Sequence, residues 1–175
     1  GGGGISGGKG GSTVIAPYVP AEDRNNQDSE PQTQPVFKDI EGHWAKEAVL
    51  KLYEMGIVNG ISSTEFGTEN AVTREEFVTM LVRLLGYEYS GSETVRFTDV
   101  KADDWYYRYV MAAYDAGIVE GMSETRFGAG ENISRQDLCV MLERTLQKLG
   151  ISADGTNDRF ADEDSISDYA RQAVH

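Results

Sequence analysis

Two short runs in this chain set a hydroxyl, a cation and an acid in the same order: Thr73-Arg74-Glu75-Glu76 and Ser134-Arg135-Gln136-Asp137. Each opens an apolar-periodic segment. A hydroxyl followed three places on by an acid is the spacing of a helix capping box, in which both side chains satisfy backbone donors of the first turn. Thr73 with Glu76 fits that role, and so does Ser134 with Asp137, although the shorter acid reaches back less well. The arginine falls at the first helical position, where the positive end of the helix dipole disfavours a cation and welcomes an anion. Something negative is therefore expected beside Arg74 and Arg135. It is either a ligand carboxylate, held by charge-assisted bonds to guanidinium and backbone amides, or a carboxylate of the chain itself, such as Asp39 or Asp99, pairing across a structural boundary. On the residues alone both stay open.

Other residue types carry less. His43 corresponds to Asp104 in the second half of the chain, so a surface or capping role fits it better than shared catalysis. Cys139 corresponds to Val78 and reads as a small buried thiol rather than a nucleophile. The acidic runs Asp154–Asp158 and Asp162–Asp164 lack the glycine and terminal glutamate of a calcium loop. Adjacent carboxylates such as Asp103-Asp104 and Glu75-Glu76 come with no pocket signal for glycosidase chemistry, and there is no nucleotide loop or nucleophile elbow. The expectation is a non-catalytic chain with no metal and no cofactor.

Composition narrows the partners. The 175 residues carry a net charge of −13, with a pI near 4.5, which disfavours nucleic acid or anionic lipid as a partner held by bulk electrostatics. Any anionic ligand must be gripped locally. A single cysteine rules out an internal disulfide framework. No run approaches the roughly 20 apolar residues of a membrane span, and the sequence opens with neither Met nor a charged-then-apolar leader, so an export signal is expected to have been removed or to lie outside this chain.

The elements that must position the two arginines follow from an internal repeat. Residues 1–36, in which eight of the first eleven are Gly, read as a flexible Gly/Pro/polar linker. Thereafter Phe37-Lys38-Asp39 returns as Phe97-Thr98-Asp99 and Phe160-Ala161-Asp162, and Trp44 returns as Trp105 and, by position, Tyr169. Gly56-Ile57-Val58-Asn59-Gly60 returns as Gly117-Ile118-Val119-Glu120-Gly121, and Phe66-Gly67 as Phe127-Gly128. Repeats are expected over 37–95 and 96–152, with a third, shorter one over 153–175. Each complete copy predicts two helices around an irregular loop. The first carries Trp44, Ala45, Ala48, Val49, Leu52 and Tyr53, matched by Trp105, Val110, Ala113 and Tyr114. The second carries Phe77, Met80, Leu81, Leu84 and Leu85, matched by Leu138, Met141, Leu142, Leu146 and Leu149. Units of about 60 residues bury little apolar surface alone, so they should pack on one another.

The ordered set Phe-x-Asp, Trp, Gly-Ile-Val-x-Gly, Phe and Thr-Arg-x-Glu resembles the S-layer homology (SLH) module of bacterial surface proteins, from about residue 36 to the C-terminus. The resemblance implies an all-α fold of tandem helix-loop-helix units, packed as an incomplete pseudo-threefold bundle behind the linker. It also implies an extracellular anchor that holds its protein to peptidoglycan-linked polysaccharide, often a pyruvylated secondary polymer, through grooves between repeats. By that resemblance Arg74 and Arg135 are the glycan-binding candidates, with Asp39, Trp44, Asp99 and Trp105 behind them. Thr68 and Ala129 stand where the family often has proline, and repeat two has the softer Ser-Arg-Gln-Asp. The alternatives are a self-assembly module, in which exposed apolar surface beside the third repeat could be covered by dimerisation, and the non-catalytic end of a surface hydrolase.

Overall fold

The computed structural model describes residues 37–91, 97–152, 155 and 159–175; the linker expected over 1–36 and most of the acidic run 154–158 lie outside them. The described residues form an all-α structure: α1 (Lys46–Glu54), α2 (Arg74–Leu85), α3 (Tyr107–Asp115), α4 (Arg135–Lys148) and α5 (Arg171–Val174), with short 3-10 turns at Lys38–Ile40, Glu163–Ser165 and Asp168–Ala170. The described residues divide into two compact units, one ending at Glu69 and the other beginning at Asn70.

That division falls inside the first sequence repeat. The reason is that α2, the second helix of repeat one, packs on α3, the first helix of repeat two. The same step recurs when α4 packs on α5 and on the Asp168–Ala170 turn. The compact unit is therefore displaced by half a period from the sequence repeat, and the boundary between repeats becomes a helix interface.

In the first unit, α1 stops by a Schellman motif. Gly56 takes φ 72° and the Ile57 N–H reaches back to the Leu52 carbonyl at 2.9 Å. Gly117 and Ile118 end α3 in the same way, with Ile118 N–H donating to Ala113 O at 2.9 Å. Each stop turns the following apolar pair inward, and Ile57, Val58, Ile118 and Val119 are all buried. Neither pair is part of a strand. Phe37 packs edge-on to Tyr53 and against Phe66, and Phe97 repeats the arrangement with Tyr114 and Phe127. Gly60 and Gly121 exist for these phenylalanines: an added Cβ would lie 2.3 Å from Phe37 Cε1 or 2.5 Å from Phe97 Cε1.

The helix faces differ from those read in the sequence. Trp44 and Ala48 are exposed rather than buried with α1, which starts only at Lys46 and buries Val49. On α2 the buried face runs through Val78, Thr79, Leu81 and Val82, with Arg74, Glu75 and Arg83 beside them, while Leu84 is exposed. Leu142 and Leu149 of α4 are likewise exposed, and Met141 and Thr145 take the interior. The neighbouring repeat rotates the preferred face, because it supplies aromatic partners for polar side chains: the Arg83 guanidinium lies 5.2 Å from the Tyr109 ring.

Candidate functional site

The lead-in to α2 and the lead-in to α4 run antiparallel. Ile133 N–H donates to Val72 O at 3.0 Å and Arg74 N–H to Glu131 O at 2.8 Å, bracketing a bridge between Thr73 and Asn132. Two repeats are thus joined at the point where both hydroxyl-arginine runs begin. The Glu75 carboxylate adds a bond from Gly130 N–H at 3.0 Å.

The two caps are built differently. Thr73 Oγ1 accepts from Glu76 N–H at 3.4 Å and Glu76 Oε2 accepts from Thr73 N–H at 2.9 Å, a complete capping box. Ser134 Oγ accepts from Asp137 N–H at 3.2 Å, but the Asp137 carboxylate takes the Ser134 hydroxyl at 2.6 Å. One methylene fewer directs that carboxylate away from the N-cap backbone and toward its neighbours.

Arg74 is only 7% exposed. Its guanidinium lies 5.3 Å from the centroid of the Phe127 ring, and Nη1 is 3.7 Å from Asp137 Oδ2. Nε is buried and has no hydrogen-bond partner among the described residues. Burial lowers the Arg74 pKa below the ordinary guanidinium value, opposed by the nearby Asp137 charge. The other oxygen of Asp137 accepts from the Tyr169 hydroxyl at 2.9 Å. Arg74 of repeat one, Phe127 and Asp137 of repeat two and, further along the chain, Tyr169 therefore meet in one cluster. Burial, then the bond to Asp137 and its charge, raise the Tyr169 pKa. Arg135, the sequence counterpart of Arg74, is exposed, and none of the ion pairs among the described residues includes it.

The aspartates of the Phe-x-Asp runs hold loops. Asp39 accepts from the N–H groups of Phe66, Gly67 and Thr68 at 2.8, 2.6 and 3.2 Å. Asp99 accepts from Phe127, Gly128 and Ala129 at 2.8, 2.7 and 3.1 Å. Burial would raise both carboxyl pKa values, but the three amide donors outweigh it and hold them below the ordinary 3.8. Through this clasp Asp99 sets Phe127 and Gly128 beneath Arg74. A Cβ on Gly128 would stand 3.3 Å from Arg74 Cδ.

The tryptophans part company. Trp44 is 91% exposed, its ring 5.5 Å from that of His43, while Trp105 is half-buried and edge-on to Tyr106 at 5.2 Å. Sequence reasoning did not find the Arg74–Phe127 stack or the Asp137–Tyr169 bond. The available signals were the aromatic that recurs at each repeat start and the shortening of Glu76 to Asp137. Cys139 is half-buried and free. Among the described residues, no three His, Cys, Asp or Glu side chains are grouped to hold a metal, and no helix is long and apolar enough to cross a membrane.

Fold and site together define a tandem helix-loop-helix protein whose loops are clasped by aspartate and whose repeats join at arginine-bearing helix N-termini. Residues 36–78 and 96–139 match the family model for the S-layer homology domain, and the chain belongs to that family. It is 34% identical over 164 residues to an endoglucanase of Bacillus sp. (strain KSM-635), covering 92% of this chain and 17% of the relative. It is 34% identical over 144 residues to exoglucanase XynX of Acetivibrio thermocellus (79% and 13%) and 32% identical over 135 residues to the surface-layer 125 kDa protein of Lysinibacillus sphaericus (77% and 11%). The chain thus spans less than a fifth of each of these relatives. Domains of this family anchor proteins at the bacterial cell surface, at the cell wall, and the chain is such a non-catalytic anchoring module.

Proposed function

We propose that this module anchors a larger surface protein by binding an acidic cell-wall polysaccharide, of the class carrying pyruvyl ketals on a secondary polymer. The observation that carries the reading is Arg74: a buried guanidinium at a junction of repeats, backed by Phe127, with a long contact to Asp137 and, among the described residues, no hydrogen bond to satisfy its Nε. Such a group, flanked by a helix N-terminus, is suited to a carboxylate on a sugar ring. The exposed Arg135 is the corresponding candidate in repeat two, and Trp44 and Trp105 offer aromatic faces for sugar rings. Asp39 and Asp99 serve by holding loops rather than by touching glycan, since their oxygens are committed to amides. The endoglucanase and surface-layer relatives support a cargo role for the rest of the parent protein, hydrolytic or structural.

The test is co-sedimentation with purified wall sacculi, before and after chemical removal of the secondary polymer. Binding should require the polymer and fall at least about tenfold in Arg74→Gln, the size of one lost charge-assisted bond. Equal binding to stripped sacculi would sink the polymer reading.

A further inference from the structure

The Arg74 guanidinium already has an anion beside it, and that anion belongs to the chain. Asp137 Oδ2 stands 3.7 Å from Nη1, within ion-pair distance but beyond hydrogen-bond reach. Both Asp137 oxygens are bonded elsewhere, to the Tyr169 hydroxyl and to the Ser134 hydroxyl. Arg74 is therefore compensated in charge while its hydrogen-bonding capacity is left unmet, as the partnerless Nε records. From this geometry we infer that Asp137 is an internal competitor for carboxylate-bearing ligands at Arg74, and that it sets the affinity and selectivity of that site. The inference rests on reading Arg74 as the anion-binding residue.

A ligand carboxylate approaching Arg74 meets like charge from Asp137. Only a ligand that places its oxygens for direct, charge-assisted bonds recovers that repulsion, whereas a diffuse polyanion does not. The device follows from one residue choice. Glu76 is spent on the cap of α2, and the shorter Asp137 is tethered by Ser134 and Tyr169 facing Arg74. Tyr169, by holding Oδ1, keeps the competitor from closing fully onto the guanidinium.

Asp137→Asn keeps an acceptor for Tyr169 and a polar partner for Ser134 but removes the charge. In the full chain, its binding to polymer-bearing sacculi is expected to tighten about tenfold relative to wild type, equivalent to about 1.4 kcal/mol. Asp103→Asn, at an exposed site, controls for net charge and should not move. The gain should vanish in the double variant with Arg74→Gln. Equal or weaker binding by Asp137→Asn with an unchanged melt overturns the inference, as does a matching gain in Asp103→Asn or a gain that survives in the double variant. If Asp137→Asn melts markedly lower, Tyr169→Phe decides: releasing Oδ1 toward Arg74 should weaken binding about threefold, and unchanged or tighter binding overturns the proposal. Wild-type binding with no gain in Asp137→Asn removes only this inference. Absence of binding by wild type and Asp137→Asn alike overturns the anion-site reading and this inference with it.

Discussion

Asp99 Oδ2 and the Gly128 amide, 29 positions apart, lie 2.7 Å from each other. With the bonds from Phe127 and Ala129, that contact fixes the loop on which Arg74 rests. The same clasp joins Asp39 to residues 66–68 in the other unit. Removing it strands amide donors in a half-buried loop. Asp99→Ala is expected to cost about 3 kcal/mol in urea denaturation, and Asp99→Asn, which retains one good acceptor, about 1–2 kcal/mol. A loss below about 0.5 kcal/mol for Asp99→Ala would show the clasp to be incidental.

The depressed carboxyl pKa values give the clasp a pH dependence with a definite sign. Both Asp39 and Asp99 have folded-state values below 3.8, so in this range the unfolded chain binds more protons than the folded one. Their contribution is fully present above about pH 4–5 and is lost as pH falls through the folded values. Thermal melts of wild type should therefore drop steeply below about pH 4, and Asp99→Asn should show a shallower slope there. Parallel slopes would place the proton uptake on other groups.

Glycine substitutions separate close approach from backbone freedom. Gly121 has φ 91°, and its added Cβ would lie 2.5 Å from Phe97 Cε1 and 2.8 Å from the Arg126 carbonyl oxygen. Gly130 has φ 80° with nothing within 4 Å. Gly121→Ala should cost more than about 3 kcal/mol or prevent folding, whereas Gly130→Ala should cost only about 1 kcal/mol. Chemical denaturation of the two variants side by side makes the comparison.

The two helix caps should differ in what their acids contribute. Thr73→Ala and Ser134→Ala should each cost about 1 kcal/mol, but Glu76→Gln and Asp137→Asn part ways. Glu76→Gln keeps the box, since Gln also accepts from the N-cap amide, and should leave both stability and sacculus binding near wild type. Asp137→Asn should change binding, because its carboxylate faces Arg74 rather than the N-cap backbone amide. Melting curves paired with co-sedimentation distinguish the cases.

Trp44 offers a stability-neutral probe of the proposed glycan contact. With the ring 91% exposed, Trp44→Ala should shift folding free energy by less than about 0.5 kcal/mol. Under the proposed function it should weaken sacculus binding several-fold. A large drop in melting temperature would instead reveal a packing role.

The sequence by itself determined the repeats, the helices, their glycine stops and the hydroxyl caps. These depend on short-range rules: periodicity, the left-handed residue at Gly56 and Gly117, and a side chain bonding an amide three residues on. Even the need for an anion beside Arg74 was legible, because the helix dipole acts within one turn. What only the tertiary structure decided is which faces are inside and who the partners are. Leu84 turned outward and Thr79 inward because α2 packs on the next repeat's α3, and no periodicity within one helix encodes a neighbour's surface. Asp39 and Asp99 became loop clasps through contacts 27 to 30 positions away. Arg74 met Phe127, Asp137 and, through it, Tyr169 for the same reason: the compact unit is shifted by half a repeat, so groups from both repeats and from the residues that follow them converge where the pattern of either repeat shows a boundary.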